Sequence, residues 1–228
     1  MELASFYFIN AALTESPELH AIVASATTKK YTSGELIFQA NQNPKGVYVL
    51  LKGKVKIFQR IPTGSDQVMN IHVAGEIIGY RAIVSNERYA VSAAAIEPSS
   101  LAFIPKKDFI SHHENSPCFA QLLLRYLSRE FTVWVNTVSV LTHKTVRERL
   151  LLNLWILVIK YQVGLSWPVK LTLQKTDIAS LIGTSNETLA RTLKALKTEG
   201  LIAAQSGRIQ ITNSGQFRKI QQEVELLL

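Results

Sequence analysis

Hydrophobic and polar positions follow three successive patterns along the chain. Between residues 31 and 110 the apolar runs are short and rich in β-branched and aromatic side chains. Tyr48-Val49-Leu50-Leu51 and Val55-Lys56-Ile57-Phe58 flank Lys52-Gly53-Lys54, the pattern of a hairpin. Val91 to Ala95 and Leu101 to Ile104 continue in the same way, with Glu97-Pro98-Ser99 as the turn. Glycines recur between the clusters at Gly34, Gly46, Gly53, Gly64, Gly75 and Gly79. This spacing predicts a small antiparallel barrel or roll.

The period then changes. No Gly or Pro appears between Pro117 and Gly164. Leu124, Leu127, Phe131, Trp134, Val138, Leu141 and Thr145 step alternately by three and four, and all but Thr145 are apolar. That is a heptad seam. A seam this narrow predicts a long helix packed on its equivalent in a parallel homodimer. The alternative is a single amphipathic helix lying on its own barrel, although a large exposed patch with Phe131 and Trp134 is unusual on a monomer. Leu150 to Tyr161 is apolar all round, which predicts a buried helix ended by Gly164 to Pro168. After residue 171 the pattern predicts two short helices, a hairpin and a last helix. Leu201-Ile202-Ala203 and Arg208-Ile209-Gln210-Ile211 flank Ser206-Gly207 as a two-stranded wing, and Gln216 to Leu228 closes the chain as a helix.

The segment Thr176 to Leu196 has the layout of a helix-turn-helix. Ala179 is small enough for two helices to cross closely. Gly183 can take the positive φ of a sharp turn. Ser185 is an N-cap residue, with Glu187 favourable to the dipole in the next turn. Leu189, Leu193 and Leu196 fall at i, i+4 and i+7 and should pack inward. Asn186, Glu187, Ala190, Arg191 and Lys194 are left outward, and with Ser185 they form the expected DNA-binding set. Arg191 can bond the O6 and N7 of guanine in bidentate fashion. Glu187 can accept from cytosine N4 and can orient Arg191 from one turn away. Asn186 can reach an adenine or a phosphate. An ordinary helical hairpin with solvated charges would share the bare pattern; the wing behind it and the seam before it weigh for DNA.

Charge points the same way. The 228 residues carry 25 Lys+Arg and 17 Asp+Glu, a net +8. Residues 1–143 hold 13 basic and 11 acidic side chains, whereas residues 144–228 hold 12 and 6. The smaller C-terminal part thus carries most of the excess, as a phosphate-binding surface requires. Cys118 is the one cysteine, so neither an internal disulfide nor a cysteine-ligated cluster or zinc site is expected. The chain is expected to be cytoplasmic, with no secretory signal at Met1 to Asn10. Its most apolar run, Leu150 to Ile159, is half a membrane span. Phosphate loops, zinc-protease helices and nucleophile elbows are missing from the sequence, so no enzyme is expected. No metal or cofactor is expected either.

On these motifs the chain resembles bacterial transcription regulators of the CRP/FNR (cyclic-AMP receptor protein) family. Tyr31 to Phe38 and Val47 to Val55 resemble the opening strands of its β-roll. Gly75-Glu76-Ile77-Ile78-Gly79 resembles its effector-loop entry, and Val146 to Leu150 the start of its DNA-binding domain. Ser185 to Arg191, the most specific match, resembles its recognition helix. The resemblance implies an α+β chain: a β-roll over residues 1–116, a dimerisation helix over 117–143 and a winged helix-turn-helix over 144–228. It also implies double-stranded DNA and RNA polymerase as partners, and a palindromic operator with a GA-containing core read by Glu187 and Arg191. Relatives often carry Arg or Val where Asn186 stands, so the resemblance leaves the outer base preference open.

For an effector, the resemblance points to Gly79, Tyr80, Arg81, Arg88, Tyr89 and Trp134. In members that bind cyclic AMP, a Glu in the place of Tyr80 holds the ribose, and a small hydroxyl residue in the place of Tyr89 joins the Arg on the phosphate. A Thr-Ser pair meets the adenine where Trp134-Val135 stand. The substitutions argue against cyclic AMP and leave the effector open. Arg88 then serves an anionic ligand or pairs with Glu87 or Glu76 on the surface. The five histidines, His72 and His112-His113 among them, read as surface or capping residues rather than haem ligands, and Cys118 reads as packed at a helix start. Two alternatives remain: a cyclic-nucleotide-responsive regulator, or a nucleotide-binding module that acts through protein partners.

Overall fold

Short apolar runs rich in β-branched and aromatic side chains turn the first half of the chain into strands. The computed structural model describes residues 16–61, 64–161, 167–205 and 208–226. In order come α1 (Pro17–Ser25), β1 (Thr27–Tyr31), β2 (Leu36–Phe38), β3 (Gly46–Lys52), β4 (Lys54–Arg60), β5 (Asp66–Val73) and β6 (Ile77–Ile78). Then follow α2 (Tyr80–Val84), β7 (Ser92–Ala95), β8 (Ser99–Pro105), α3 (Lys106–Asn115) and α4 (Pro117–His143). The strands form two antiparallel four-stranded sheets, ordered β1-β8-β3-β6 and β2-β7-β4-β5. Ile37, Phe38, Tyr48, Leu50, Val55, Ile57, Ile78, Tyr89, Ala93 and Leu101 form the core of this roll.

The expected hairpin about Gly53 is not one. β3 pairs with β8 and β6, and β4 with β5 and β7, so the turn carries the chain from one sheet to the other. Gly53 sits at φ +95°, and an added Cβ there would come within 2.8 Å of the Pro98 carbonyl oxygen. Only glycine fits that corner. Three helices lie beyond the strand pattern. α1 is capped by Ser16, whose Oγ accepts from Leu19 N–H, and opens on Pro17 and Glu18. α2 is a single turn and α3 buries only Phe109, so neither carries a long apolar period.

The packing divides inside α4, between Glu130 and Phe131. The second unit continues with α5 (Val146–Tyr161), β9 (Val169–Lys170), α6 (Lys175–Leu181), α7 (Asn186–Thr198), β10 (Ala203–Gln205), β11 (Arg208–Ile211) and α8 (Ser214–Glu225). α5 is buried round most of its circumference between Leu150 and Lys160, with Asn153, Ile156 and Ile159 half-buried. β10, β11 and β9 form an antiparallel sheet in that order, so the wing gains a third strand. Its expected tip, Ser206-Gly207, lies outside the described residues. The last helix starts at Ser214, two residues before the expected Gln216, because Asn213 Oδ1 accepts from Gln216 N–H as its cap. Leu227 and Leu228 lie outside the described residues.

Candidate nucleic-acid interface

The turn between α6 and α7 is closed by two backbone bonds. Gly183 N–H donates to Ser180 O at 3.1 Å and Thr184 N–H to Ala179 O at 2.9 Å. This pair ends α6 in a Schellman motif, with Gly183 left-handed at φ +61°. Ser185 Oγ then accepts from Thr188 N–H at 3.2 Å and starts α7. Each step follows from the residue type at that position.

α7 divides by face as its pattern predicts. Leu189, Leu193 and Leu196 are buried, with 0%, 9% and 0% of their surface exposed. Ser185, Asn186, Glu187, Ala190, Arg191 and Lys194 are all exposed. The face therefore offers one carboxylate, one amide and two cations around a small Ala190, which lets a groove approach closely. One detail differs from expectation: Arg191 is not oriented by Glu187. Its Nη2 donates to Thr188 Oγ1 at 3.5 Å, and Glu187 has no intramolecular partner among the described residues. Both side chains are exposed, Arg191 with this one long contact.

The exit of α7 is held at two points. Gln216 Nε2 donates to Gly200 O at 3.0 Å. Arg147, on the first turn of α5, donates from Nη2 to Glu199 Oε2 at 2.6 Å and from Nη1 to Glu223 Oε2 at 2.5 Å. The two carboxylates hold the Arg147 guanidinium well above its ordinary range. At the opening of α5, Thr145 N–H and Oγ1–H donate to Glu148 Oε2 at 2.6 and 2.7 Å, while Glu148 N–H donates to Thr145 Oγ1 at 3.3 Å. This is a capping box. The hydrogen bonds from Thr145 hold the Glu148 carboxyl below its usual value. Thr145, the seventh position of the heptad pattern, has therefore left α4 and serves as a cap. The other six seam residues lie exposed on α4: Leu124 63%, Leu127 40%, Phe131 68%, Trp134 37%, Val138 53% and Leu141 36%.

Of the effector candidates in the first unit, Gly79, Tyr80, Arg81 and Tyr89 make contacts within that unit. Tyr89 is buried and stacks on Phe38, centroids 4.0 Å apart, while its Oη donates to Gly46 O at 3.1 Å. Burial pushes its phenol well above the ordinary value. Gly79 backs onto the same two rings. Tyr80 is also buried, and its Oη donates to Glu130 Oε2 at 3.0 Å; burial, then the Glu130 charge, raise that phenol strongly. Arg81 Nε lies 3.8 Å from the same carboxylate. Arg88 is exposed and unpaired among the described residues. It does not pair with Glu76, which is fully buried against His72 Nδ1 at 2.6 Å. His72 is likewise buried rather than superficial. Cys118 is exposed rather than packed.

Two family models match separate stretches of the chain. Residues 28–116 match the family model of the cyclic nucleotide-binding domain. Residues 148–220 match that of the Crp-like helix-turn-helix domain. The fumarate and nitrate reduction regulatory protein of Salmonella typhimurium is 28% identical over 188 residues, covering 82% of this chain and 75% of its own. The chain belongs to the CRP/FNR family of transcription regulators. Among solved structures, FixK2 from Bradyrhizobium japonicum superposes with a TM-score of 0.74 at 21% identity, covering 86% of this chain and 96% of that one. A CRP/FNR-family transcriptional regulator from Thermus thermophilus gives 0.70 at 18%, covering 87% and 98%. Both show the same fold.

As a CRP/FNR regulator the chain uses a DNA-binding helix-turn-helix and is not an enzyme. Sequence reasoning missed the Arg147 fork and the Tyr80–Glu130 bond. A signal for the first was present: Glu199 and Glu223 stand at helix C-termini, where carboxylates are disfavoured unless paired.

Proposed function

We propose that the chain is a homodimeric regulator that reads a two-fold-symmetric operator through Ser185, Asn186, Glu187, Ala190, Arg191 and Lys194. The observation that carries this is the face of α7: buried leucines behind, exposed side chains able to read bases in front, of which Arg191 is held only by a long contact to Thr188. The operator carries a GA-containing core in each half-site, with Glu187 and Arg191 as its readers. The apolar stripe on α4 supports pairing with a second copy, since a patch of this kind on a monomer is unusual. Residues 1–116 then act as the sensor-type domain, 117–143 as the dimer helix and 144–228 as the DNA-binding domain. No helix among the described residues is long and apolar enough to cross a membrane. We assign the protein to the cytoplasm, with RNA polymerase as a further partner.

The same reading has the regulator act without cyclic AMP. Tyr80 and Tyr89 are committed to Glu130 and to the roll core, and Arg88 stands without the hydroxyl neighbour that would share a phosphate. Selection of bound sequences from random duplex DNA at stated salt tests the whole reading; a two-fold-symmetric site is expected, and sequence-independent binding would refute it. Titration calorimetry with cyclic AMP should give no saturable heat. Micromolar binding would overturn the effector part alone.

A further inference from the structure

Three charges of the second unit stand at the wrong ends of their helices. Arg147 lies in the first turn of α5, where the helix dipole disfavours a cation. Glu199 caps the C-terminus of α7, and Glu223 lies in the last turn of α8, where it disfavours anions. One guanidinium satisfies all three, with bonds of 2.6 and 2.5 Å. We propose that Arg147 is a positioning residue: it fixes the exit of α7, so that the exposed face of that helix meets base edges at a set angle. The proposal rests on the reading of α7 as the DNA-reading helix.

Stability does not account for the fork. The three side chains keep 39%, 41% and 33% of their surface exposed, and exposed ion pairs add little to folding. A planar two-pronged donor supplies direction instead. Glu199 lies twelve residues beyond Glu187, about 18 Å along the helix axis. A tilt of about 5° pivoted at the exit would move the reading side chains by roughly 1.5 Å, enough to break a base-edge hydrogen bond. The fork also starts two residues after the Thr145 cap, so it ties the first turn of α5 directly to α7 and α8.

The test compares binding of the whole chain to its selected operator and to a scrambled duplex at fixed salt, with the melting temperature followed alongside. Arg147→Ala, and separately the pair Glu199→Gln with Glu223→Gln, should each lower the operator-to-scrambled ratio at least about fivefold. Melting should shift by less than about 3 °C. Arg147→Lys can serve one carboxylate at a time and should fall between. An unchanged ratio overturns the proposal. So does equal loss on both duplexes with Arg147→Ala alongside equal gain with the Glu variants, which would make Arg147 a phosphate contact. A large melting loss with equal loss on both duplexes would make it structural only. A wild-type chain that selects no operator brings down the reading of α7 and this proposal with it. A selective wild type with an equally selective Arg147→Ala brings down the proposal alone.

Discussion

Arg191 is held by one long contact, 3.5 Å to Thr188, on a face where its charge is otherwise free. A side chain so placed gains most of its partners from the ligand. Arg191→Ala should cost about 1–3 kcal/mol at the preferred site and flatten preference at one base position. Competition binding against single-base operator variants measures this; an equal loss on every sequence would restrict Arg191 to phosphate. Gly183 is a residue of the opposite kind, set by backbone rather than chemistry. Its φ of +61° is left-handed, and an added Cβ would lie 3.3 Å from Leu141 Cδ2. Gly183→Ala should destabilise the chain by about 1–2 kcal/mol in denaturant melts, and Gly183→Asn by less.

The capping box of α5 is where pH should act on an element. Hydrogen bonds from Thr145 lower the Glu148 carboxyl in the folded chain below its ordinary 4.5. A lowered acid contributes stability that is complete above its unfolded value and fades as pH falls through the folded one. Melting of wild type and Glu148→Ala should therefore differ most near neutrality and converge in acid. Thr145→Ala should cost about 1 kcal/mol; a gap between wild type and Glu148→Ala that is flat with pH would deny the box its role. Elements of this local kind were legible in the sequence. The cap, turn glycine and leucine spacing of α7 all lie between Thr176 and Leu196, and each points to the same fold. Long-range pairings were not legible. Gly53 marks a turn, but nothing local says that β3 and β4 enter different sheets. The Arg147 fork joins residues 52 and 76 positions apart, and the Tyr80–Glu130 bond spans 50. The short α2 and the polar α3 lack the apolar period that reveals a helix.

For the whole molecule, charge and apolar surface have separate addresses. Most of the +8 excess lies after residue 143, around the helix-turn-helix, while the exposed apolar stripe runs along α4 from Leu124 to Leu141. This separation suits a molecule that meets two different surfaces, one anionic and one like itself. A charge placed in the middle of the stripe should disrupt the second without touching the first. Phe131→Glu and Trp134→Glu each put a carboxylate where an apolar side chain, 68% or 37% exposed, would be covered in a dimer. Burying that charge unpaired is costly, so sedimentation should show a shift toward monomer at micromolar concentration. Because a two-fold site is filled by two helices at once, operator affinity should fall far more than affinity for scrambled DNA, and binding should steepen with protein concentration. Removing the stripe leaves α7 intact, so an isolated half-site should still be bound as weakly as before. An unchanged dimer in both variants would refute the seam, and would return α4 to a helix whose exposed side faces water alone.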